Sequence, residues 1–236
     1  VSAANIKQVF VTGATGYTGR ALINVLLQRG HRVRALARAA SAKRVPQGAE
    51  VVIGNALDSE SFAAKIESGD TLVHLIGTPH PSPAKASEFV RVDLASIHAA
   101  VQAAARARCA HLVYVSVAQP APVMHAYLEV RKQGEEAIAR AGLTATVLRP
   151  WYVLGPGHRW PLLLVPFYAL GKKVPAFRES CMRLDLISLD AFVHAMVWSV
   201  ENPPALQQQV RVMDVPAMKA LHAVNAAGVP SPHPRG

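Results

Sequence analysis

The chain has 236 residues, of which 51% are hydrophobic and 17% charged, with a formal net charge of +10. That length holds one sizeable core with an appended lobe, and such a composition excludes a disordered chain. Two cysteines, Cys109 and Cys181, are too few for a disulfide framework and lack metal-ligand spacing, so no metal is expected. No apolar run reaches the ~20 residues that span a bilayer, and no leader pattern is visible, so the expected location is cytoplasmic. Basic residues occur in runs no longer than two, Lys43-Arg44, Arg131-Lys132 and Lys172-Lys173, without interleaved aromatic residues. This argues against nucleic acid and for a basic solvated surface around an anion-binding cleft.

Residues 7–20 read Lys-Gln-Val-Phe-Val-Thr-Gly-Ala-Thr-Gly-Tyr-Thr-Gly-Arg. A short apolar strand over 7–12 runs into glycines at every third position, Gly13, Gly16 and Gly19, and an amphipathic helix over 17–29 follows at once. Strand, glycine turn and helix form a seat for a dinucleotide pyrophosphate. Gly13 permits a sharp turn, Gly16 a close approach of backbone to phosphate, and Gly19 close packing of helix on strand. Unpaired N–H groups at the helix start face the anion, and Thr12, Thr15 and Thr18 add hydroxyl donors.

Further strands are predicted over 32–37, 50–53, 71–76, 111–116 and 145–149, mostly continuous apolar runs that demand burial on both faces. Helices are predicted over 59–67, 85–107 and 126–141, the first capped by Asp58 or Ser59 and closed by Gly69, the last closed by Gly142. This alternation predicts an α/β fold: a doubly wound parallel sheet with helices on both faces, and ligands beyond the carboxyl ends of the strands. The residue after the second strand is then decisive. It is Arg38, with no acid between His31 and Pro46. An acid there would bind a ribose 2′-hydroxyl of NAD, whereas Arg38, joined by Lys43 and Arg44, suits the 2′-phosphate of NADP. After the third strand, Asn55 and Asp58 are candidates for the adenine edge, with Asp58 equally a plain helix cap. After the fourth, Gly77-Thr78-Pro79 is expected to run past the cofactor, with His80 at the cleft mouth.

The chain resembles the atypical or extended short-chain dehydrogenase/reductases, of the NAD(P)-binding, NmrA-like and epimerase/dehydratase-like group. The resemblance covers roughly residues 7–215. It rests on the glycine loop, Gly54-Asn55-Ala56-Leu57-Asp58, Leu112-Val113-Tyr114-Val115-Ser116-Val117, residues 127–135, and Leu148-Arg149-Pro150-Trp151-Tyr152-Val153-Leu154-Gly155-Pro156-Gly157. It implies a Rossmann core over residues 1–150 and a small C-terminal substrate lobe over 151–221, split into about 151–188 and 204–221. The segment 189–203 returns to the core, and the tail over 222–236 is expected to be loosely ordered. It also implies a nicotinamide cofactor, NADP before NAD, held by Gly13, Thr15, Gly16, Tyr17, Thr18, Gly19, Arg38, Asn55, Ala56, Leu57, Gly77, Thr78, Val115, Pro150 and Val153.

In this superfamily a tyrosine hydroxyl donates the proton that accompanies hydride transfer. A lysine four residues on favours the phenolate and holds the nicotinamide ribose, and a serine after the fifth strand orients the carbonyl. Positions i and i+4 share one helix face, which is why the pair needs that spacing. Here the matching residues are Ser116, Tyr127 and Arg131; Lys132 comes one place late and is turned by about 100°. Glu135 matches a family glutamate. Arginine stays charged but cannot replace a compact ammonium at a ribose.

Two readings therefore stand. One is an NADP-dependent oxidoreductase, acting on a small, largely apolar carbonyl-type substrate. The other is a non-catalytic NADP(H)-binding redox sensor or assembly subunit that acts through a protein partner. The apolar segment 160–171 reads as a pocket lid or as a packed helix, with membrane-surface contact a weaker third reading. His158 and Arg159 are placed to meet an anionic group, and a late helix over 189–202, capped near Asp190 and stopped by Pro203-Pro204, carries His194 as a packing residue.

Overall fold

The computed structural model describes residues 6–156, 175–205 and 208–226. Nine strands are found among them: β1 (Gln8–Thr12), β2 (Arg32–Ala37), β3 (Glu50–Ile53), β4 (Thr71–His74), β5 (His111–Val115), β6 (Ala145–Arg149), β7 (Tyr152–Leu154), β8 (Leu186–Ser188) and β9 (Val210–Asp214). Seven form one parallel sheet in the order β3-β2-β1-β4-β5-β6-β9; β7 and β8 pair separately. The chain winds outward from β1 to β3, then crosses back to lay β4 on the other side of β1. Strand order reverses between β1 and β4, and a ligand crevice opens at their carboxyl ends.

Alternation along β1 assigns the two cores. Val9 and Val11 face a cluster with Leu22, Ile23 and Leu26 of α1 (Tyr17–Gln28). Phe192 and Met196 of a late helix complete this side of the sheet. Phe10 faces the opposite cluster, with Phe62, Leu72, Ile97, Tyr114 and Ile138. Two-sided burial of this kind requires the continuous apolar runs seen in the sequence.

Most elements lie within a residue or two of their expected bounds, and the departures have local causes. The helix expected over 59–67 is two 3₁₀ turns, Ser59–Ser61 and Ala63–Lys65. Phe62 breaks them apart: at φ −142° its ring reaches back to stack on Phe10, 6.0 Å between centroids. The helix expected over 85–107 is composite. A 3₁₀ turn (Pro83–Lys85) leads into α2 (Ala86–Glu88), a π turn over Phe89–Leu94, and α3 (Ala95–Ala107). α4 spans His125–Arg140, α5 Pro175–Arg183, α6 Leu189–Glu201 and α7 Val215–Ala226. The cap of α6 is Ser188, whose Oγ accepts from the Ala191 N–H at 3.1 Å, and not Asp190, which instead accepts from His222 at 2.8 Å. His194 packs its ring against His222.

β9 joins the main sheet beside β6, so part of the segment expected in the split lobe is a core strand. The helix that follows it, α7, runs through 222–226 of the expected tail and buries Met218 against the core. The apolar stretch 160–171, His158 and Arg159 lie outside the described residues. Among the described residues no helix is long and apolar enough to cross a membrane, and no cluster of His, Cys, Asp and Glu could hold a metal ion.

Two histidines on inner strands are locked neutral. His74 hydrogen-bonds Thr12 Oγ1 at 2.9 Å and Ser96 Oγ at 3.3 Å, and His111 hydrogen-bonds Thr146 Oγ1 at 3.0 Å. Burial, reinforced by nearby Arg131 and by Arg211 and Lys7 respectively, pushes each down to about 3 from the ordinary 6.5. The unfolded chain takes up these protons near pH 6.5 and the folded chain only near 3. Their contribution is therefore complete above pH 6.5 and is lost as pH falls toward 3, at about 1.4 kcal/mol per pH unit for each histidine. Urea unfolding measured from pH 8 to 5 should give a plateau above about pH 7 and a steep decline below it; a flat profile down to pH 5 would show that these histidines titrate normally.

Candidate functional site

The glycine loop is fixed by backbone contacts that leave no room for side chains. Gly13 sits at φ +75°, and a Cβ there would lie 2.8 Å from the carbonyl carbon of Leu75. A Cβ on Gly19 would collide with the Gly13 carbonyl oxygen, so that glycine lets α1 pack against the end of β1. The Gly16 N–H donates to Gly13 O at 3.1 Å, and α1 starts at Tyr17 with no side-chain cap. Its first N–H groups are thus left for a ligand.

A cleft of about 440 Å³ opens over this loop. Of the residues expected to hold a cofactor, Gly13, Thr15, Gly16, Arg38, Asn55, Ala56, Leu57 and Gly77 line it. Tyr17, Thr18 and Gly19 form the helix turn behind the loop, where the Tyr17 hydroxyl occupies the space a Cβ on Gly155 would need. Thr78 is buried and engaged elsewhere. Val115 ends β5, Pro150 follows β6 and Val153 is the middle residue of β7, all outside this cleft: Val115 O accepts from Arg131, Pro150 O accepts from the Ala118 N–H at 2.9 Å, and Val153 packs on the core. The cleft therefore gathers the residues expected at the adenosine half of a dinucleotide site.

At the end of β2, Arg38 lines the cleft together with Ser41, which the sequence reading missed. Ser41 Oγ donates to the Arg38 carbonyl at 3.1 Å across one 3₁₀ turn (Ala39–Arg44). A hydroxyl three residues after the arginine was the available signal. Lys43 does not line the cleft, and Arg44 straps this turn to the glycine loop by donating to Thr15 O at 3.1 Å. Asn55 and Asp58, expected at the adenine edge, are occupied locally. Asn55 Oδ1 accepts from Leu57 N–H and Asp58 Oδ1 from Glu60 N–H, each at 3.1 Å, so Asp58 is a turn cap.

Toward the other half of the site, α4 carries Tyr127, Arg131 and Glu135 at successive four-residue steps along one face. Ser116, just past β5, donates its hydroxyl to Glu135 Oε1 at 2.6 Å. The same carboxylate accepts from Gln119 Nε2 at 2.8 Å and from both Nε and Nη2 of Arg149, at 3.1 and 2.5 Å. The Tyr127 ring packs 4.9 Å from Phe89 and 5.0 Å from the Arg131 guanidinium carbon, centroid distances that suit a cation–π contact.

Arg131 departs from its expected role. The side chain is 4% exposed and pairs with Asp93 at 2.6 Å, while Nη1 donates to Val115 O at 2.9 Å. Burial opposes the charge, but Tyr127, Tyr114 and Asp93 hold the guanidinium above its ordinary value. Asp93 in turn accepts from the Thr78 N–H at 3.0 Å and the Thr78 hydroxyl at 2.6 Å. The cation is thus neutralised at contact range, and Arg131 positions Tyr127 rather than presenting a free charge to a ligand. Gly77 is needed here too, because a Cβ would run into Arg131 Nη2. Lys132 points away from the cleft, 58% exposed and 3.9 Å from Glu136. The sequence reading missed Asp93; its signal was an acid inside the apolar run Phe89–Leu94, a pattern that demands a buried partner.

Removing one member of a buried pair strands the other. Asp93→Asn should destabilise the protein by about 3–5 kcal/mol. The check is the shift in urea midpoint at constant slope; a loss below about 1 kcal/mol would mean that Asp93 does not hold Arg131.

The chain matches the NAD(P)H-binding family over residues 13–158, more than half its length, and it belongs to that family. Among solved structures it is similar in fold to the Bordetella bronchiseptica enzyme WbmH in complex with NAD+, with a TM-score of 0.66 at 20% identity, covering 98% of this chain and 85% of that one. It is likewise similar to the UDP-glucuronic acid 4-epimerase of Bacillus cereus in complex with NAD, with a TM-score of 0.65 at 14% identity, over 88% and 77% of the two chains. In sequence it is 28% identical over 174 residues to a ceramide reductase of Caulobacter vibrioides, covering 73% of this chain and 54% of the relative. It is 30% identical over 176 residues to a 3-diazoavenalumate denitrifying reductase of a Streptomyces species, covering 64% and 57%. The chain spans about half the length of the curated relatives it matches.

Proposed function

We propose that the protein is an NADP(H)-dependent reductase of a carbonyl-type group on a small, largely apolar substrate. The observation that carries the cofactor choice is the end of β2. Arg38 and Ser41 both line the cleft there, and no acid on that wall competes for a ribose diol. The glycine loop fits a pyrophosphate, since Gly13 turns the chain at φ +75° and α1 starts at Tyr17 with no side-chain cap on its first N–H groups. Reductase relatives support the reaction class.

When bound, the reduced nicotinamide supplies a hydride to the carbonyl carbon. Tyr127, on the first turn of α4, supplies the proton to the carbonyl oxygen and recovers it from solvent. Ser116 orients the carbonyl after releasing the hydrogen bond it now gives Glu135. Arg131 holds the Tyr127 ring from beneath and keeps α4 on the ends of β4 and β5. The lobe begun by β7 and β8 forms the substrate wall.

A second reading is favoured by one observation. Asp93 neutralises Arg131, so the position at which the resemblance leads one to expect a lysine offers no free charge here. In that reading the protein binds NADP(H) without turnover and reports its state to a protein partner.

Fluorescence titration should give NADPH affinity above that for NADH. Arg38→Ala should cost about 10-fold or more against NADPH, the worth of a hydrogen bond to a charged group, and leave NADH unchanged. Equal parental affinities would remove the Arg38 reading. Tyr127→Phe should lower carbonyl reduction at least ~100-fold without changing NADPH binding. Tight NADPH binding by a parent that reduces none of a broad carbonyl panel would favour the second reading.

A further inference from the structure

The 3₁₀ turn after β2, Ala39–Arg44, repeats every three residues. Ser41 and Arg44 therefore eclipse one another on one face, and Lys43 is turned away by about 120°. Arg38 caps the turn and lines the cleft with Ser41, whose backbone N–H donates to the Arg38 carbonyl at 2.8 Å. The same stacking carries Arg44 back to the glycine loop, where Nη2 donates to Thr15 O at 3.1 Å. Arg44 is exposed, and among the described residues no carboxylate pairs with it, so its guanidinium is committed to the loop carbonyl and not to an acid.

That carbonyl belongs to the peptide between Thr15 and Gly16. The N–H of the same peptide donates to Gly13 O at 3.1 Å. The unit is thus tied at both polar ends, once from within the loop and once, by Arg44, from outside it. Gly13 and Gly16 flank this corner, and glycine backbone has the most freedom to lose, so an outside bond restrains it more than it would restrain other residues. The corner leads directly into α1, since Gly16 is its N-cap and no side chain caps the N–H groups that follow.

We propose that Arg44 is a positioning residue for the phosphate seat. By holding the Thr15–Gly16 peptide from the neighbouring turn, it keeps the loop and the uncapped N–H groups of α1 in the geometry that receives a pyrophosphate. The ordering cost is then met before the nucleotide arrives. Arg38 and Arg44 divide the work: Arg38 stands where NADP and NAD differ, and Arg44 acts on the part they share. The proposal rests on the dinucleotide reading of the cleft and is independent of the choice between NADP and NAD.

The test uses the whole chain and Arg44→Met, which keeps an apolar stem and removes the donor. Because the contact is exposed, the urea midpoint should match the parent's. In the ligand-free protein, hydrogen exchange at the Gly16 N–H should quicken about 5-fold while the strands stay unchanged. NADPH and NADH should each bind about 3-fold more weakly, by the same factor, because affinity falls with the fraction of loops held ready. The loss should persist at ~0.5 M salt, which screens a bare charge. Unchanged exchange at Gly16 or unchanged affinities overturn the proposal. So does a loss confined to NADPH, which would make Arg44 a ligand of the 2′-phosphate, or a loss that vanishes in salt, which would make it a distant charge on the phosphates. If NADH binds the parent and NADPH does not, the NADP(H) reading falls by itself, and the exchange, affinity and salt measurements test Arg44 on NADH. If neither nucleotide binds the folded parent, the dinucleotide reading falls and takes the proposal with it.

Discussion

The rest of the site depends on the buried pair between Arg131 and Asp93. A guanidinium cannot shed its proton to escape burial, so it must be met by an anion and by acceptors. Asp93 supplies the anion, and the carbonyls at the ends of β4 and β5 supply acceptors. The carboxylate has lone pairs to spare, and these take the backbone and hydroxyl of Thr78. One pair thus joins four pieces of chain: α4, the π turn, the loop after β4 and the end of β5. The π turn has a purpose in this arrangement, since a wider turn at Phe89–Leu94 is where Asp93 is buried and Phe89 meets Tyr127.

A second network four residues along α4 does similar work. Glu135 collects Ser116, Gln119 and Arg149, tying the same helix to the ends of β5 and β6. Tyr127, Arg131 and Glu135 form a single stripe, so the tyrosine and two structural anchors share one rigid element. The exchange of lysine for arginine is understandable in these terms. A lysine at 131 could face Asp93 but could not also reach two carbonyls from a planar fork. The arginine gains placement and gives up the role of a free cation at a ribose.

The binding half of this protein was largely legible in its sequence, and the reaction half was not. β1, the glycine loop and α1 could be read because apolar run, glycine spacing and helical period coincide within twenty residues, and because the inner strands β4, β5 and β6 are buried on both faces. β9 was missed as a core strand because it lies at the sheet edge, where Arg211 and half-exposed Val212 are tolerated. β7 and β8, at three residues each, are too short to show any period. The break at Phe62 and the π turn are imposed by tertiary contacts that local propensity cannot show. Arg131 stood out in the sequence as a departure from the pattern the resemblance implies. Its partner Asp93 lies 38 residues earlier, and only the packing of α4 against the π turn brings them together.

The loop after β4 is where the two halves meet, and its geometry makes them inseparable. On one side Leu75, Ile76 and Gly77 line the cleft over the glycine loop, and Leu75 is the backbone that forbids a side chain at Gly13. On the other, Ile76 O and Thr78 accept from and donate to the Arg131–Asp93 pair. Gly77 touches both, since a Cβ there would meet Arg131 Nη2 within the same loop that lines the cleft. A displacement of a few tenths of an ångström in this loop, from either side, must be answered by α4 or by the glycine turn, because close-packed interiors do not absorb it locally. The cleft over the glycine loop and Tyr127 are therefore joined through packed and hydrogen-bonded atoms of this one loop. Both a reductase and a sensor would need such a connection.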